Sequence, residues 1–435
     1  MFGHGRFALI DAVRSTDALG LLRELEAIQF ESPAAIRQRQ EESQAEYFKV
    51  LTKVSPFYRE YHSFAQLPII DKDFVKRHRQ QLINPDYRGK LMRKKTGGST
   101  GIPFVYSTGT YSHSYLWAGI LLSWRAIGYQ LGEPVVFLAG SSLFGSGFKQ
   151  AVYHKLMNTR VFSAFDLSPE RMRIYAETIA SDRVRLLYGY ASAIYRLAQY
   201  LLSSPRRLHF VLRGVVCTAE VLTPTMRNTI ESAFGAICVN QYGCHEAGVS
   251  AYECEHRRGF HLITTRCYPE VLDDGALIST DLSNHAFFMP RYDTGDLVVM
   301  ENNQCSCGRG FPLIREVIGR SNDMVSDPAG NTVHSAFFGI LIREDSRISA
   351  FQVIFDERKL IFNLHCRERG VDWSNYLRQV RAVLKFDDIR IVENLSFKTP
   401  TSGKHRYVVR VDDVDATLAE ARREQILPLL HKGGE

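Results

Sequence analysis

The chain has 435 residues, more than one hydrophobic core usually holds, so two domains are expected. Hydrophobic residues make up 45% and charged residues 23%, a globular balance that argues against disorder except at the ends. The net charge of +7 comes from 54 basic and 47 acidic residues spread along the chain, which suits an anionic ligand or a solvated surface. No Lys/Arg tail or recognition helix points to nucleic acid.

The N-terminus, Met1 to Phe7, lacks a charged-then-apolar signal pattern, and no run approaches the roughly 18 apolar residues of a membrane span. A cytoplasmic protein without membrane partners is expected. Eight cysteines in so long a chain do not make a disulfide scaffold. Cys217, Cys238 and Cys366 lie in apolar runs and are expected as buried thiols.

The first ninety residues read as helical: Leu19 to Phe30 has apolar residues at helical spacing, and Ala34 to Val54 is polar and amphipathic. A further helix is predicted at Lys72 to Gln81. Beyond residue 90, strands at Pro134 to Ala139, Arg185 to Tyr188, Gly214 to Thr218 and Ala236 to Gln241 alternate with helices. The helices are Pro169 to Ala180, Ser192 to Leu202 and Pro224 to Ala233. That alternation predicts parallel α/β layers. Gly259 to Val299 reads as a run of strands, a β-subdomain appended to the α/β part. A dense turn signal follows at Asp327-Pro-Ala-Gly-Asn331. After it come strands at Phe351 to Phe355, Leu360 to His365 and Asp388 to Val392, and a helix at Ser374 to Leu384, an α+β unit. The expected fold class is therefore α/β, with a small α+β C-terminal domain.

Five segments carry candidate chemistry. Thr96-Gly97-Gly98-Ser99-Thr100-Gly101 combines glycines that expose backbone amides with hydroxyl donors, an anion cradle or a flexible polar loop. No Lys-Ser/Thr pair follows the last glycine, so it is not a Walker A loop. Gln241-Tyr242-Gly243-Cys244-His245-Glu246 follows an apolar strand, at the strand end where α/β sheets bind ligands. In Tyr292-Asp293-Thr294-Gly295-Asp296 one Asp can satisfy the turn's own amides and the other can accept from ribose hydroxyls. Arg320 can bridge ribose and phosphate. Lys404, at the tip of Thr401-Ser-Gly-Lys404, is a compact mobile charge suited to a phosphate transition state.

The order T-G-G-S-T-G-x-P, Y-G-x-x-E, Y-x-T-G-D, G-R-S-x-D, S-G-K resembles the adenylate-forming superfamily. It is most similar to the phenylacetate–CoA ligase branch and its capsular-polysaccharide biosynthesis relatives, over roughly residues 90 to 410. The resemblance implies a two-step ligase using ATP and Mg²⁺, which activates a carboxylic acid and passes it to a thiol (CoA) or an amine. It implies that Thr96 to Gly101 cover the β- and γ-phosphates, and that Tyr242, flanked by Gln241 and Gly243, packs on adenine. Glu246 would hold Mg²⁺, Asp296 the ribose hydroxyls and Arg320 the ribose and phosphate, with Lys404 catalytic. Ala219-Glu220 resembles the adenine-side segment, although an additional glycine is usual there. Two departures are His245, where Ser or Thr is usual before the metal-binding Glu, and Asn322, where the hinge is usually Asp. His245 can donate to a phosphate or carboxylate, or crowd the site; as a donor it joins Lys404 and Glu246 as a candidate catalytic residue.

The implied domains are 1–320, with a helical start over 1–90 and a β-subdomain over 250–310, and a mobile lid over 323–435 hinged near Asn322. Cys305-Ser-Cys307 with Cys254 fits free thiols in a turn or a zinc knuckle. The capsule-related branch is similar in having one early Cys, one His and a late Cys pair. It thereby implies structural Zn²⁺; the fourth ligand is then His261, which can face the later knuckle across a strand turn, or His256, which can share a strand face with Cys254. The acyl pocket is expected among residues 137–150 and 188–192, near Tyr188, Tyr190 and Gly140-Ser-Ser-Leu-Phe144-Gly, where Tyr and Phe fit an aromatic or small polar acid and fit core packing as well. On the same scaffold the alternatives are adenylylation of a phenolic cofactor and a nucleotide-binding relative without turnover.

Overall fold

The computed structural model describes residues 2–96, 104–139, 148–164, 166–206, 208–320, 324–342, 345, 347–366, 371–395 and 407–430. The chain divides into two compact units: Met1–Leu222 with Thr229–Ile318, and Thr223–Asn228 with Gly319–Glu435.

The larger unit starts with helices α1 (Phe2–Arg14), α2 (Ala18–Ile28), α3 (Pro33–Val54) and α4 (Lys72–His78). Their starts follow from local chemistry. Asp17 accepts from the Gly20 amide at 3.0 Å, Ser32 from Ala35 at 3.2 Å and Asp71 from Phe74 at 2.7 Å, each satisfying an orphan first-turn donor. Pro33 at the start of α3 has no amide to lose.

A hairpin of β1 (Met92–Thr96) and β2 (Phe104–Thr108) leads into α5 (Thr110–Arg125). No apolar stripe marks α5 in the sequence because the helix is buried on nearly every side. Then follow β3 (Val135–Ala139), α6 (Phe148–Leu156), β4 (Thr159–Ser163), α7 (Pro169–Ser181), β5 (Leu186–Tyr190) and α8 (Ala191–Ser203). β6 (Gly214–Thr218), α9 (Pro224–Phe234) and β7 (Ile237–Cys244) complete the alternating part. The strands β8 (Val249–Glu253), β9 (Phe260–Leu262), β10 (Cys267–Val271), β11 (Ala276–Asp281), β12 (Tyr292–Glu301) and β13 (Leu313–Arg320) come next.

One eleven-stranded sheet holds them in the order β10-β11-β12-β13-β9-β8-β7-β6-β5-β3-β4. β4, β3, β5, β6 and β7 are parallel, and pairing turns antiparallel at β7–β8. The expected alternation is thus present, and the strands from β8 onward add to the parallel ones edge to edge rather than forming a separate layer. β3 connects to β4 on one side and β5 to β6 on the other. The adjacent ends of β3 and β5 therefore form a topological switch point, where α/β sheets open a crevice. Buried Trp124 of α5 packs against Phe137 of β3 and Tyr188 of β5, so Tyr188 belongs to this aromatic cluster under the switch point.

In the smaller unit, β14 (Met324–Ser326) and β15 (Thr332–His334) form a hairpin over the expected turn. Asp327 accepts from both the backbone and the side-chain amide of Asn331 at 2.8 Å. After α10 (Ser335–Ile342) come β16 (Ile348–Phe355), β17 (Lys359–Cys366), α11 (Ser374–Val383), β18 (Asp388–Glu393), β19 (Val408–Arg410) and α12 (Val414–Leu430). The sheet order is β18-β17-β16-β19, around a core that includes Phe338, Val353, Leu360 and Phe362. All eight cysteines are free thiols. Cys217 and Cys238 are buried, but Cys366, the last residue of β17, is half-buried. Among the described residues no helix is long and apolar enough to cross a membrane.

Gly189 of β5 faces Leu138 of β3, and a Cβ there would lie 2.0 Å from the Leu138 carbonyl oxygen. Gly189→Ala must push the two strands apart. It is expected to destabilise the larger unit by about 2 kcal/mol or more, seen as a lower unfolding temperature. An unchanged unfolding temperature would contradict the close approach.

Candidate functional site

β7 ends at Cys244 and the chain turns through a short 3-10 segment, His245–Ala247, closed by Gly248 at φ 73°. Only glycine fits at 248: its φ is left-handed, and a Cβ would stand 2.6 Å from the Asp281 Cα. The Ser279 hydroxyl donates to the Ala247 carbonyl at 2.9 Å and pins the turn to β11. His245 points outward and is exposed, whereas Glu246 is only 5% exposed. Among the described residues none donates a hydrogen bond to the Glu246 carboxylate or pairs with it. A buried carboxylate without a partner is costly, and a hard cation with oxygen ligands is one way to offset that cost. Nearby, burial pushes the Tyr106 phenol well above its usual value, and the Glu246 charge adds to the effect.

The two aspartates of the Tyr292–Asp296 turn have separate tasks. Asp293 accepts from the Gly295 amide at 2.8 Å and Thr294 donates to the Leu277 carbonyl at 2.7 Å, so the first Asp serves the turn. Asp296, 6% exposed, accepts from the Tyr242 hydroxyl at 2.7 Å. The structure therefore brings Tyr242 and Asp296 together, 54 residues apart in sequence. Tyr242 is half-buried and its ring meets Phe260 edge-on.

Gln241 sits on β7 beside Thr218 and Tyr252, its buried side-chain oxygen without a hydrogen bond among the described residues, and the next glycine, Gly243, is exposed. Ala219 takes φ 67°, left-handed at the end of β6, in the segment where an additional glycine is usual. Glu220 accepts from the Ser192 amide at 2.8 Å and so caps α8 beside the switch point, where a carboxylate also suits the helix dipole. Thr96 closes β1 and Arg320 closes β13. Gly97, Gly98, Ser99, Thr100, Gly101, Asn322 and Lys404 lie outside the described residues.

A second cluster joins β8, β9 and the loop after β12. The ligand atoms of Cys254, His261, Cys305 and Cys307 all lie within 4.8 Å of one another. The Cys254 and Cys305 sulfurs are 3.8 Å apart, and His261 Nε2 is 3.4 Å from the Cys307 sulfur. His261 is fully buried, and burial holds its imidazole down at about 4. His256 instead bonds Ser306 at the surface through Nδ1 at 2.8 Å. Burial pushes the Cys254 thiol up to about 12, while for Cys307 the Arg309 amide and guanidinium outweigh burial and lower it. Four soft N/S donors converging in a Gly-flanked turn are the donor set of a closed tetrahedral zinc site.

Sequence reading missed the buried polar knot under the Glu246 turn. Arg266, 1% exposed, donates to Ser250 at 2.5 Å and lies 3.8 Å from Asp281. Asp281 also accepts from Ser112 at 2.8 Å and from the Ser283 amide at 3.0 Å. The available signal was the polar run Ser279-Thr-Asp-Leu-Ser-Asn284 set among apolar residues. Lys94 and His113 were missed too; Lys94 Nζ lies 3.2 Å from His113 Nδ1.

No family model matches the chain. It is 26% identical over 409 residues to protein CapK of Staphylococcus aureus, covering 84% of this chain and 87% of that protein. It is 28% identical over 165 residues to phenylacetate-coenzyme A ligase of Thermus thermophilus, covering 35% of this chain and 37% of that enzyme. Among solved structures it resembles 2-hydroxyisobutyryl-CoA ligase in the postadenylation state with 2-HIB-AMP. That match has a TM-score of 0.62 at 18% identity, over 94% of this chain and 91% of that one. It also resembles an ATP-bound RpMatB-BxBclM chimera, with a TM-score of 0.51 at 15% identity, over 76% and 68% of the two chains.

His113 yields a pH prediction. Burial first, then the Lys94 and Arg14 charges, hold its imidazole at about 3, so it is neutral when folded. The unfolded chain takes up a proton near pH 6.5 that the folded chain refuses. This contribution to stability is complete above that pH and is lost as pH falls toward 3. Below pH 6.5 the wild type should lose up to about 1.4 kcal/mol per pH unit more than His113→Asn. Equal pH slopes in denaturant unfolding would mean that His113 titrates as if exposed.

Proposed function

The chain belongs to the adenylate-forming superfamily, in its CapK-like branch, and from that premise we propose that it is an acyl-adenylate-forming ligase. Its substrates are ATP and a small carboxylic acid. The observation that carries this reading is the buried Glu246, without a partner among the described residues, at the carboxyl end of β7 beside the Tyr242–Asp296 pair.

In the first step a carboxylate oxygen attacks the α-phosphorus of ATP, the bond to the bridging oxygen breaks, and pyrophosphate leaves with that electron pair. In the second step a thiol (CoA) or an amine attacks the acyl carbon, loses its proton, and AMP leaves. Tyr242 packs on the adenine, with Gln241, Gly243, Ala219 and Glu220 around it. Asp296 accepts from the ribose hydroxyls; its hydrogen bond from Tyr242 fixes its direction beforehand, so little reorganisation is needed on binding. Residues Thr96 to Gly101 cover the outer phosphates and Arg320 reaches the ribose and α-phosphate. Lys404, carried by the lid of residues 323–435 that turns about Asn322, stabilises charge developing at the α-phosphate. His245, exposed beside Glu246, donates to a phosphate or to the substrate carboxylate. Glu246 is the protein ligand for Mg²⁺, which when bound supplies charge neutralisation on the phosphate oxygens. Cys254, His261, Cys305 and Cys307 would hold Zn²⁺, whose role there would be structural, cross-linking the strands.

Two experiments test these assignments. Lys404→Ala should slow carboxylate-dependent pyrophosphate release by about 100-fold or more with ATP affinity nearly unchanged, since one preorganised charge contributes on that order. Glu246→Gln should raise the Mg²⁺ concentration needed for half-maximal rate. Normal pyrophosphate release in the Lys404 variant, or a normal Mg²⁺ response in the Glu246 variant, removes that residue from the site.

Metal analysis of the purified chain should find one zinc per molecule, and Cys305→Ser with Cys307→Ser should abolish it and lower the unfolding temperature. A zinc-free wild type whose stability is indifferent to those substitutions rules the zinc out.

A further inference from the structure

With Zn²⁺ bound, the sulfur–imidazole cluster would carry a charge that its four ligands do not balance. Three thiolates and a neutral imidazole outweigh the two charges of the metal by one. Cys254 and His261 are fully buried and Cys305 is 5% exposed, so water screens little of that excess. A net charge withdrawn from solvent is costly unless a counter-charge stands beside it.

Arg309 follows shortly after Cys307, and its side chain is drawn inward, 8% exposed. Three acceptors hold the guanidinium. Its Nε donates to Gln29 Oε1 at 2.9 Å and its Nη1 to Glu255 at 3.2 Å, and it also hydrogen-bonds the Cys307 sulfur. Its charge acts on His261 as well. Arg257, on the turn after Cys254, is engaged elsewhere, with Glu231 at 2.6 Å.

Gln29 anchors this arrangement. It closes α2, is 6% exposed, and its Oε1 accepts a second hydrogen bond from the Tyr252 hydroxyl at 2.9 Å. Its backbone carbonyl accepts from the Gly310 amide at 2.8 Å. A Cβ on Gly310 would lie 2.0 Å from the Glu31 carbonyl oxygen, so the loop carrying Arg309 is pressed against the end of α2. Tyr252 completes the frame from β8: it pairs with His261 of β9, and the two rings lie 5.6 Å apart. A planar fork with fixed donor directions suits such a frame better than a mobile ammonium.

We propose that Arg309 is the counter-charge of the zinc cluster, a positioning residue that Gln29 and Tyr252 aim at the thiolate of Cys307. The inference rests on the zinc reading of that cluster. It assigns retention of the metal to a residue outside the ligand set. Glu255 then works against the metal, because it draws on the same guanidinium and adds a negative charge beside a negative cluster.

The test is competition for zinc between the full chain and a chromophoric chelator. Arg309→Gln should weaken zinc binding by about 10- to 100-fold, the usual effect of losing an outer partner of a ligand. Arg309→Lys should recover part of that loss, since it returns the charge without the fork. Glu255→Gln should leave the affinity unchanged or tighten it, whereas a merely structural ion-pair network would be weakened by either substitution. Cobalt(II) in place of zinc should keep its thiolate charge-transfer absorption in Arg309→Gln, because the four ligands are untouched. If Arg309→Gln does not fold, Arg309→Lys and Glu255→Gln still report the opposed signs. Overturning results are equal zinc affinity in wild type and the Arg309 variants, weakening by Glu255→Gln, or loss of the cobalt absorption in a folded Arg309→Gln. A wild type that binds neither zinc nor cobalt defeats the zinc reading itself, and this assignment falls with it.

Discussion

Asp281 lies at the point where the site's geometry is decided. It is buried with Arg266, and a charge pair withdrawn from water is stabilised by each remaining donor and acceptor that is met. Ser112 from α5 and Ser283 from the following turn meet those of Asp281, and Ser250 from β8 receives a bond from Arg266. The knot ties α5, β8 and the end of β11 together, and Gly248 closes against the Asp281 backbone with no room for a Cβ. Glu246 is therefore held buried by elements that do not touch its carboxylate. Loss of Ser112 or Ser250 would leave a buried charge short of a partner, so the cost would fall on the turn.

The change from parallel to antiparallel pairing at β7 has a second consequence. The parallel half supplies Tyr242 and Glu246 at a strand end, as doubly wound sheets do. The antiparallel half brings β12 back so that Asp296 reaches Tyr242. Neither half holds the whole set. The sulfur cluster joins β8, β9 and the β12–β13 loop within the same half, where short strands bury little apolar area and a metal cross-link would contribute most.

Much of this was legible beforehand. The helices at 33–54 and 169–181 announce themselves through Ser-Pro starts, and the strands at 135–139 and 214–218 through short apolar runs. α5 was not legible, because a helix buried all round has no polar face to set a period. Tyr188 was expected near the acyl pocket or in the core, and its ring meets Trp124 and Phe137, a pairing that depends on which strands become neighbours. Glu220 looked like a nucleotide-side residue, and its hydrogen bond to α8 gives it a capping task that no spacing within one segment shows.

By itself the sequence determined the alternation of elements, the chemistry available in each loop, and the resemblance to adenylate-forming enzymes. These are local properties: a Gly-rich loop, an Asp-Thr-Gly-Asp turn or a C-x-C knuckle carries its chemistry within a few residues. Tertiary structure alone decided which local chemistries meet. It set Asp296 rather than Asp293 against Tyr242 and gathered His261 rather than His256 with three cysteines. Each outcome depends on register and burial across the sheet, where the free energy of a side chain is set by neighbours far away in the chain.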